Sequence, residues 1–265
     1  IDAFVARMAP LGFSADAFLP AYGLAEATLG VAMTPRGRGA RMLVVDKAAL
    51  AAGALVSVPP HHPAAVRLVS SGPPVRGATV QVVDDAGASL PDGRVGNLRV
   101  VSPSLGAGYL DDPEATAATF RDGALRTGDL GALVDGELYV TGRVKDIIVV
   151  RGRKLCAEDV EAAVESALRV DAEHRPPTAL AFGVAADAIE GERVVVLVGM
   201  HGRAVLDDGR RARALAAARE AAGAHDVEVV TVAASSLPRT TSGKLRRAEA
   251  RSLWTAGALT SEEAA

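Results

Sequence analysis

The sequence predicts an α+β protein in two blocks: a strand-rich small β-barrel over residues 1–143 and a compact α+β domain over residues 144–265. Three observations carry this. Short runs with strand period, separated by turn-forming residues, recur between residues 78 and 141, the spacing expected of a small barrel. Beyond them Val160, Ala163, Val164, Ala167 and Leu168 form one apolar stripe, the mark of an amphipathic helix. Between the two lies a polar joint, Gly142-Arg143-Val144-Lys145.

The elements follow in order. Residues 1–9 read as a helix with Phe4, Val5 and Met8 on one face. Residues 20–26 begin as a short buried strand that turns at Gly23. Pro35, Gly37 and Gly39 make a loop, residues 42–46 a strand, 47–52 a helical turn and 59–63 another loop. Ala78, Val80 and Val82 alternate with Thr79, Gln81 and Val83, and residues 95–101 return after turns at 84–87 and 91–93. A short helix is expected over 113–120, and strands at 130–134 and 137–141 flank Asp135-Gly136, a strong signal for a tight hairpin. A second hairpin, 146–150 with 154–156, turns around Arg151-Gly152-Arg153. In the amphipathic helix that follows, Glu158, Asp159 and Glu161 occupy the first turn, where the helix dipole favours negative charge. Strands at 179–185, 194–200 and 227–232, with a helix at 207–222, complete a domain of three strands and two helices.

Composition excludes several functions. With 49% hydrophobic residues and a net charge of −3, the 265-residue chain is not disordered. No apolar run approaches a bilayer's thickness, so no membrane span is expected. Cys156 is the only cysteine, which rules out an internal disulfide and suits a reducing, cytoplasmic compartment. The five histidines are scattered, apart from His61 beside His62, and no zinc-ligand spacing appears. Near-neutral charge and 3% aromatic residues argue against a nucleic-acid partner. With no initiator methionine and no signal-peptide pattern, the chain is expected to begin inside a larger protein.

Three segments suggest nucleotide chemistry. Arg239-Thr-Thr-Ser-Gly-Lys244 looks like the end of a phosphate-binding P-loop, but Pro238 stands where that loop needs glycine and Leu245 where it needs Ser or Thr. What remains is a lone lysine at a turn before a helix, which a solvated surface lysine also explains. Asp129 follows a glycine turn and is able to accept bonds from vicinal hydroxyls, although an ordinary turn aspartate fits as well. In Tyr22-Gly-Leu-Ala-Glu26 a flat ring and a carboxylate flank Gly23. The ring suits an adenine face and the acid suits Mg²⁺ beside phosphate oxygens. A core tyrosine and a surface glutamate are the plain alternative.

Taken in order, the segments resemble the adenylate-forming (acyl-activating) enzymes. The matching blocks are Tyr22-Gly-Leu-Ala-Glu26, Gly108-Tyr-Leu-Asp-Asp-Pro-Glu-Ala-Thr116, Arg126-Thr-Gly-Asp129, Gly142-Arg-Val-Lys-Asp-Ile-Ile148, Arg151-Gly152 and the stretch from Pro238 to Lys244. Within the family the wording is most like a fatty-acyl-AMP ligase: Tyr-Gly-Leu-Ala-Glu-Ala-Thr-Leu29, Gly-Glu-Leu-Tyr-Val-Thr-Gly-Arg143 and Arg-Gly-Arg153. The stretch from Ala27 to Ser71 is longer than a strand connection needs and matches, near residues 30–70, an insertion those ligases carry.

The resemblance implies the C-terminal part of such an enzyme: the end of the large AMP-binding domain, with its distorted β-barrel, then a small mobile C-terminal lid. It implies ATP and Mg²⁺ as cofactors and activation of a fatty acid to an acyl-adenylate. The acyl group then passes to the phosphopantetheine of an acyl carrier protein or polyketide synthase carrier domain. Lys244 matches the catalytic lysine and Glu26 the Mg²⁺ ligand. Tyr22, Gly23, Asp129, Arg143 and Lys154 match nucleotide-binding positions, Lys145 the hinge, and Gly152 the hairpin that serves thiol transfer. An acyl-CoA synthetase or peptide-synthetase adenylation domain is the first alternative, a non-catalytic carrier-binding fragment the second. Ala25, Asn97 and Ala107 depart from frequent Thr, Glu and Arg. The family's upstream phosphate loop and acyl pocket have no counterpart here, since Ser70-Ser-Gly-Pro73 is too short to replace that loop. The chain is therefore expected to need the upstream part of its protein for activity.

Overall fold

A computed structural model describes residues 1–169, 177–185, 192–201, 206–223 and 226–259. It divides into two compact units, Ile1–Val144 and a second from Lys145 onward.

The first unit opens with α1 (Asp2–Met8) and continues through β1 (Ala21–Leu24), β2 (Leu29–Met33), β3 (Met42–Asp46), α2 (Lys47–Ala51) and β4 (Ala65–Val69). Next come β5 (Thr79–Val83), β6 (Gly96–Val101), α3 (Pro113–Thr119), β7 (Phe120–Arg121), β8 (Ala124–Val134) and β9 (Glu137–Arg143). Strands β5, β6 and β8 run antiparallel, with β7 and β9 both pairing β8, as a curled half-barrel. Alternation puts Val80, Val82, Leu98 and Val100 on one face, where they pack with Leu125 and Leu138. Each such side chain stabilises the fold by about 1.5–3 kcal/mol relative to exposure. The β8–β9 hairpin turns through Asp135 (φ 51°) and Gly136 (φ 75°); two positive φ values match the right-handed strand twist.

Two expectations for this unit need correction. The strand at Tyr22 is half-buried rather than buried, and the chain turns after it, in a 3₁₀ turn over Ala25–Ala27. Gly23 instead sits at a bulge where β1 pairs β2. Strands β2 and β4, absent from the sequence reading, turn residues 29–72 into ordered structure, with β3 and β4 forming a two-stranded sheet. A buried ion pair anchors that stretch. Glu137, 4% exposed, accepts two N–H bonds from Arg38 (2.6 and 2.9 Å) and the hydroxyl of Ser70 (2.5 Å). Backbone bonds Ser71 N–H to Leu138 O (2.8 Å) and Leu138 N–H to Gly72 O (3.0 Å) seal the same edge.

The second unit starts at Lys145, within a 3₁₀ turn over Val144–Asp146, and holds β10 (Ile147–Val150), β11 (Arg153–Cys156), α4 (Ala157–Leu168), β12 (Thr178–Ala185) and β13 (Glu192–Met200). It ends with α5 (Asp208–Ala222), β14 (Val227–Ala233) and α6 (Arg247–Thr255). The β10–β11 turn has two residues rather than three: Arg151 (φ 48°) and Gly152 (φ 76°) make it, and Arg153 already pairs with Val150. Strand β13 lies between antiparallel β12 and parallel β14. Its continuous apolar run follows from burial on both faces. Val194, Val196 and Val198 pack with α4 and α5, while Val195 and Leu197 face Ala250, Leu253 and Trp254 of α6. The hairpin, the three strands and the two helices are as expected, and helix α6 is added to them. Glu161 and Glu165 of α4 accept the N–H groups of Ala181 and Ala179, capping the open edge of β12. Among the described residues no helix is long and apolar enough to cross a membrane.

Candidate functional site

In the first unit the bulges set the site. Strands β8 and β9 pair strictly from their turn until the register shifts between Leu130 and Gly131, which leaves Thr141 as the extra residue and brings Arg143 opposite Asp129. Because side chains alternate with period two, that one-residue shift decides which group faces the carboxylate.

Asp129 is 7% exposed and both its oxygens are held. Oδ1 accepts Arg143 Nε–H at 2.7 Å and Oδ2 accepts the Tyr22 hydroxyl at 2.6 Å. Its own N–H donates to Thr127 Oγ1 (3.0 Å), and that hydroxyl donates to Leu98 O. Burial, then the bond to Asp129, raises the Tyr22 phenol well above its ordinary range, so it stays a neutral donor. The Tyr22 ring packs against the barrel core, and the Arg143 side chain is more than half exposed. A carboxylate has about four lone-pair sites, so Asp129 retains acceptor capacity at fixed spacing. The arrangement suits a vicinal diol.

Gly23 has a reason of its own. A Cβ there would lie 1.6 Å from the Leu29 carbonyl oxygen, so the close approach of β2 requires glycine whatever binds nearby. On the adjoining 3₁₀ turn, Glu26 Oε1 accepts the Tyr109 hydroxyl at 2.7 Å. Tyr109, which holds the Glu26 carboxylate, is a neighbour the sequence reading missed. It lay inside a recognised block but 83 residues from its partner. Its N–H is fixed on Thr116 Oγ1 (2.8 Å) and its ring stands edge-on to Phe120 (5.7 Å). Among the described residues no cluster of three His, Cys, Asp or Glu could hold a metal by itself. A lone Glu26 carboxylate still fits Mg²⁺, which commonly takes one or two carboxylates and completes its shell with phosphates and water.

In the second unit Lys244 is exposed on a loop tied by its own polar groups. Thr240 N–H donates to Lys244 O (2.8 Å), Lys244 N–H to Thr240 Oγ1 (3.0 Å), and Arg239 to Gly243 O (2.8 Å). The loop is held at the backbone while the ammonium projects outward. Gly152 stands at the hairpin turn, Lys154 is exposed on β11, and Lys145 is exposed in the 3₁₀ turn that opens the unit. Burial, then Asp159 and Glu158, push the Cys156 thiol up to about 12, which disfavours its thiolate.

No protein-family model matches the chain. It is 36% identical over its whole length to the medium-chain-fatty-acid–[acyl-carrier-protein] ligase JamA of Moorena producens. Over 97% of its length it is 37% identical to a putative acyl-CoA synthetase of Caulobacter vibrioides. The chain spans 46% and 44% of those two proteins' lengths. A structure from work on the fatty acyl-adenylate ligases of E. coli and L. pneumophila superposes with a TM-score of 0.81 at 29% identity, covering 97% of this chain and 45% of that one.

Proposed function

We infer the function from a premise and a geometry: the chain belongs to the adenylate-forming enzymes, where it is similar to the fatty-acyl-AMP ligases, and it holds a buried, doubly braced carboxylate suited to a ribose. Its whole protein activates a fatty acid with ATP and transfers the acyl group to the phosphopantetheine thiol of an acyl carrier protein. A fatty acid carboxylate oxygen bonds to the α-phosphorus as the bond to pyrophosphate breaks. The thiol sulfur then bonds to the acyl carbon and AMP leaves.

The difficulty in the first step is electrostatic, because an anion must approach a phosphate anion. Positioning and preorganised cationic stabilisation address it. Asp129 and Arg143 hold the ribose hydroxyls, with Tyr22 bracing Asp129 while its ring lies along the adenine. Lys244 supplies a compact ammonium able to donate to the attacking carboxylate and the α-phosphate oxygens together. Glu26 is the protein ligand to Mg²⁺, which neutralises phosphate charge when bound. Lys154 adds positive charge near the phosphates, Lys145 is the pivot of the C-terminal lid, and the Gly152 hairpin serves the thiol. The acyl pocket and the phosphate loop belong to the upstream part of the same protein, and this chain is inactive without it.

The buried Asp129 carboxylate with a donor on each oxygen is the observation that carries the proposal. In the full-length protein, Lys244→Ala is expected to lower fatty-acid-dependent pyrophosphate release by about 10²–10³-fold, the usual loss of one preorganised donor. Undiminished release would remove Lys244 from the chemistry. The likeness to a putative acyl-CoA synthetase favours a second reading, with free coenzyme A as acceptor. Rapid acyl-CoA formation would establish that reading, and slow formation beside fast loading of a carrier protein the first.

A further inference from the structure

We propose that Arg247 is a positioning residue that ties the Lys244 loop to the chain immediately behind the interdomain joint, so that the lysine and the joint move as one piece. The inference rests on the role given above to Lys244.

Arg247 is the first residue of α6, three residues past Lys244. Its side chain is only 15% exposed and meets three carboxylates. One terminal nitrogen lies 2.6 Å from Asp146, the residue directly after Lys145. The other lies 2.9 Å from Glu161 and 3.2 Å from Glu158, both on α4. At the loop's base, Arg246 N–H donates to Pro238 O (2.9 Å). One planar cation therefore joins the first turn of the unit, the main helix and the exit of the lysine loop. Burial opposes its charge, but Asp146 and Glu161 outweigh that and hold the guanidinium above its ordinary range. An exposed pair would be worth little. A largely buried guanidinium with fixed fork geometry transmits position, which an ammonium at this point would not.

Lys244 itself makes no ion pair among the described residues; its loop is shaped by its own backbone and hydroxyl bonds and by the Arg239 guanidinium on Gly243 O, with Leu245 packed on the core. Core packing places the loop's ends on the sheet, and Arg247 on Asp146 is the polar tie that fixes it to the joint. Misplacing a reacting group by about 1 Å costs on the order of 10²-fold in rate, so a loosened tether acts on the step that needs Lys244 and spares the one that does not.

The test uses the full-length protein and measures each half-reaction alone: pyrophosphate release with fatty acid and ATP, and carrier loading from supplied acyl-adenylate. Asp146→Ala leaves Arg247 on its two glutamates, so it breaks the tether without emptying the cluster. Asp146→Ala and Arg247→Gln are each expected to lower adenylate formation by about 10- to 100-fold, to leave carrier loading within about 3-fold, and together to cost no more than the worse single change. Unchanged adenylation, equal loss of both half-reactions, or losses that multiply in the double variant would each overturn the proposal. Lys244→Ala run alongside separates the two possible failures. If it too leaves adenylation intact, the role of Lys244 is wrong; if it alone abolishes adenylation, only the tether is wrong.

Discussion

Replacing Glu137 by Gln tests what holds residues 34–72 to the barrel. Glu137 is nearly enclosed, and the change keeps its shape while removing the charge that two Arg38 nitrogens meet at 2.6 and 2.9 Å, with Arg41 at 3.5 Å. The new amide NH₂ is unable to accept from Arg38 or Ser70, so at least one former donor loses its partner. Breaking a buried pair by removing one member costs about 3–5 kcal/mol. Arg38 is 32% exposed and recovers some hydration, which brings the expected loss below that range, to about 2–3 kcal/mol. Urea unfolding followed through the first unit should show that loss as a lower midpoint at unchanged slope, and trypsin should cut faster after Arg36 or Arg38. The pH dependence supplies the sign. Burial works against the Glu137 charge, but Arg38 and Ser70 more than offset it and hold the carboxyl below its ordinary value. Its contribution is therefore complete above the unfolded carboxylate range, about pH 4.3, and is lost as pH falls through the lower folded value. The Gln variant should lack that part of the acid-induced loss. If wild type and variant weaken in parallel from pH 6 to pH 3, Glu137 does not anchor the segment.

Two further outcomes bear on the site. Tyr22→Phe removes the hydroxyl 2.6 Å from Asp129; hydrogen bonds to charged groups are worth about 1.5–3 kcal/mol, so the KM for ATP of the full-length protein should rise roughly tenfold or more, and the KM for supplied acyl-adenylate, which carries the same ribose, should rise with it. An unchanged KM would mean that Tyr22 does not brace the nucleotide site. Lys145→Pro fixes φ at the joint and should slow carrier loading more than adenylation, as separate half-reaction rates will show. Equal slowing would count against a pivot there.

Local chemistry was legible in the sequence wherever neighbours along the chain decide the outcome. Asp135-Gly136 marked its hairpin because the turn needs two positive φ values, and the stripe from Val160 to Leu168 marked α4 because helical spacing alone aligns those residues. The alternation at Val80 and Val82 located a sheet with one face on the core. Strands β2 and β4 escaped notice because neither five-residue run alternates strictly between buried and exposed positions, even though loops at 35–39 and 59–63 flank them. Helix α6 was expected only as whatever follows Lys244, since its packing face rests on Ala250, Leu253 and Trp254 within a mostly polar run.

The candidate site was legible as residue types and not as an arrangement, for a reason the Asp129–Arg143 pair makes plain. Counting back from the Asp135–Gly136 turn in strict register sets Gly142 opposite Asp129 and sends Arg143 to the other face of the sheet. The bulge at Leu130–Gly131 reverses that assignment. Part of its cause is that Gly131 lies so close to β9 that a Cβ there would meet the Tyr139 carbonyl oxygen at 2.6 Å. A backbone contact without side-chain signature thus decides which cation faces the buried carboxylate. Tyr22 completes the group from 107 residues away, through a second bulge that requires Gly23. Motif resemblance names these residues by type, without their arrangement. Propensity and periodicity do not reach them, because both presuppose the regular register that this site is built by breaking.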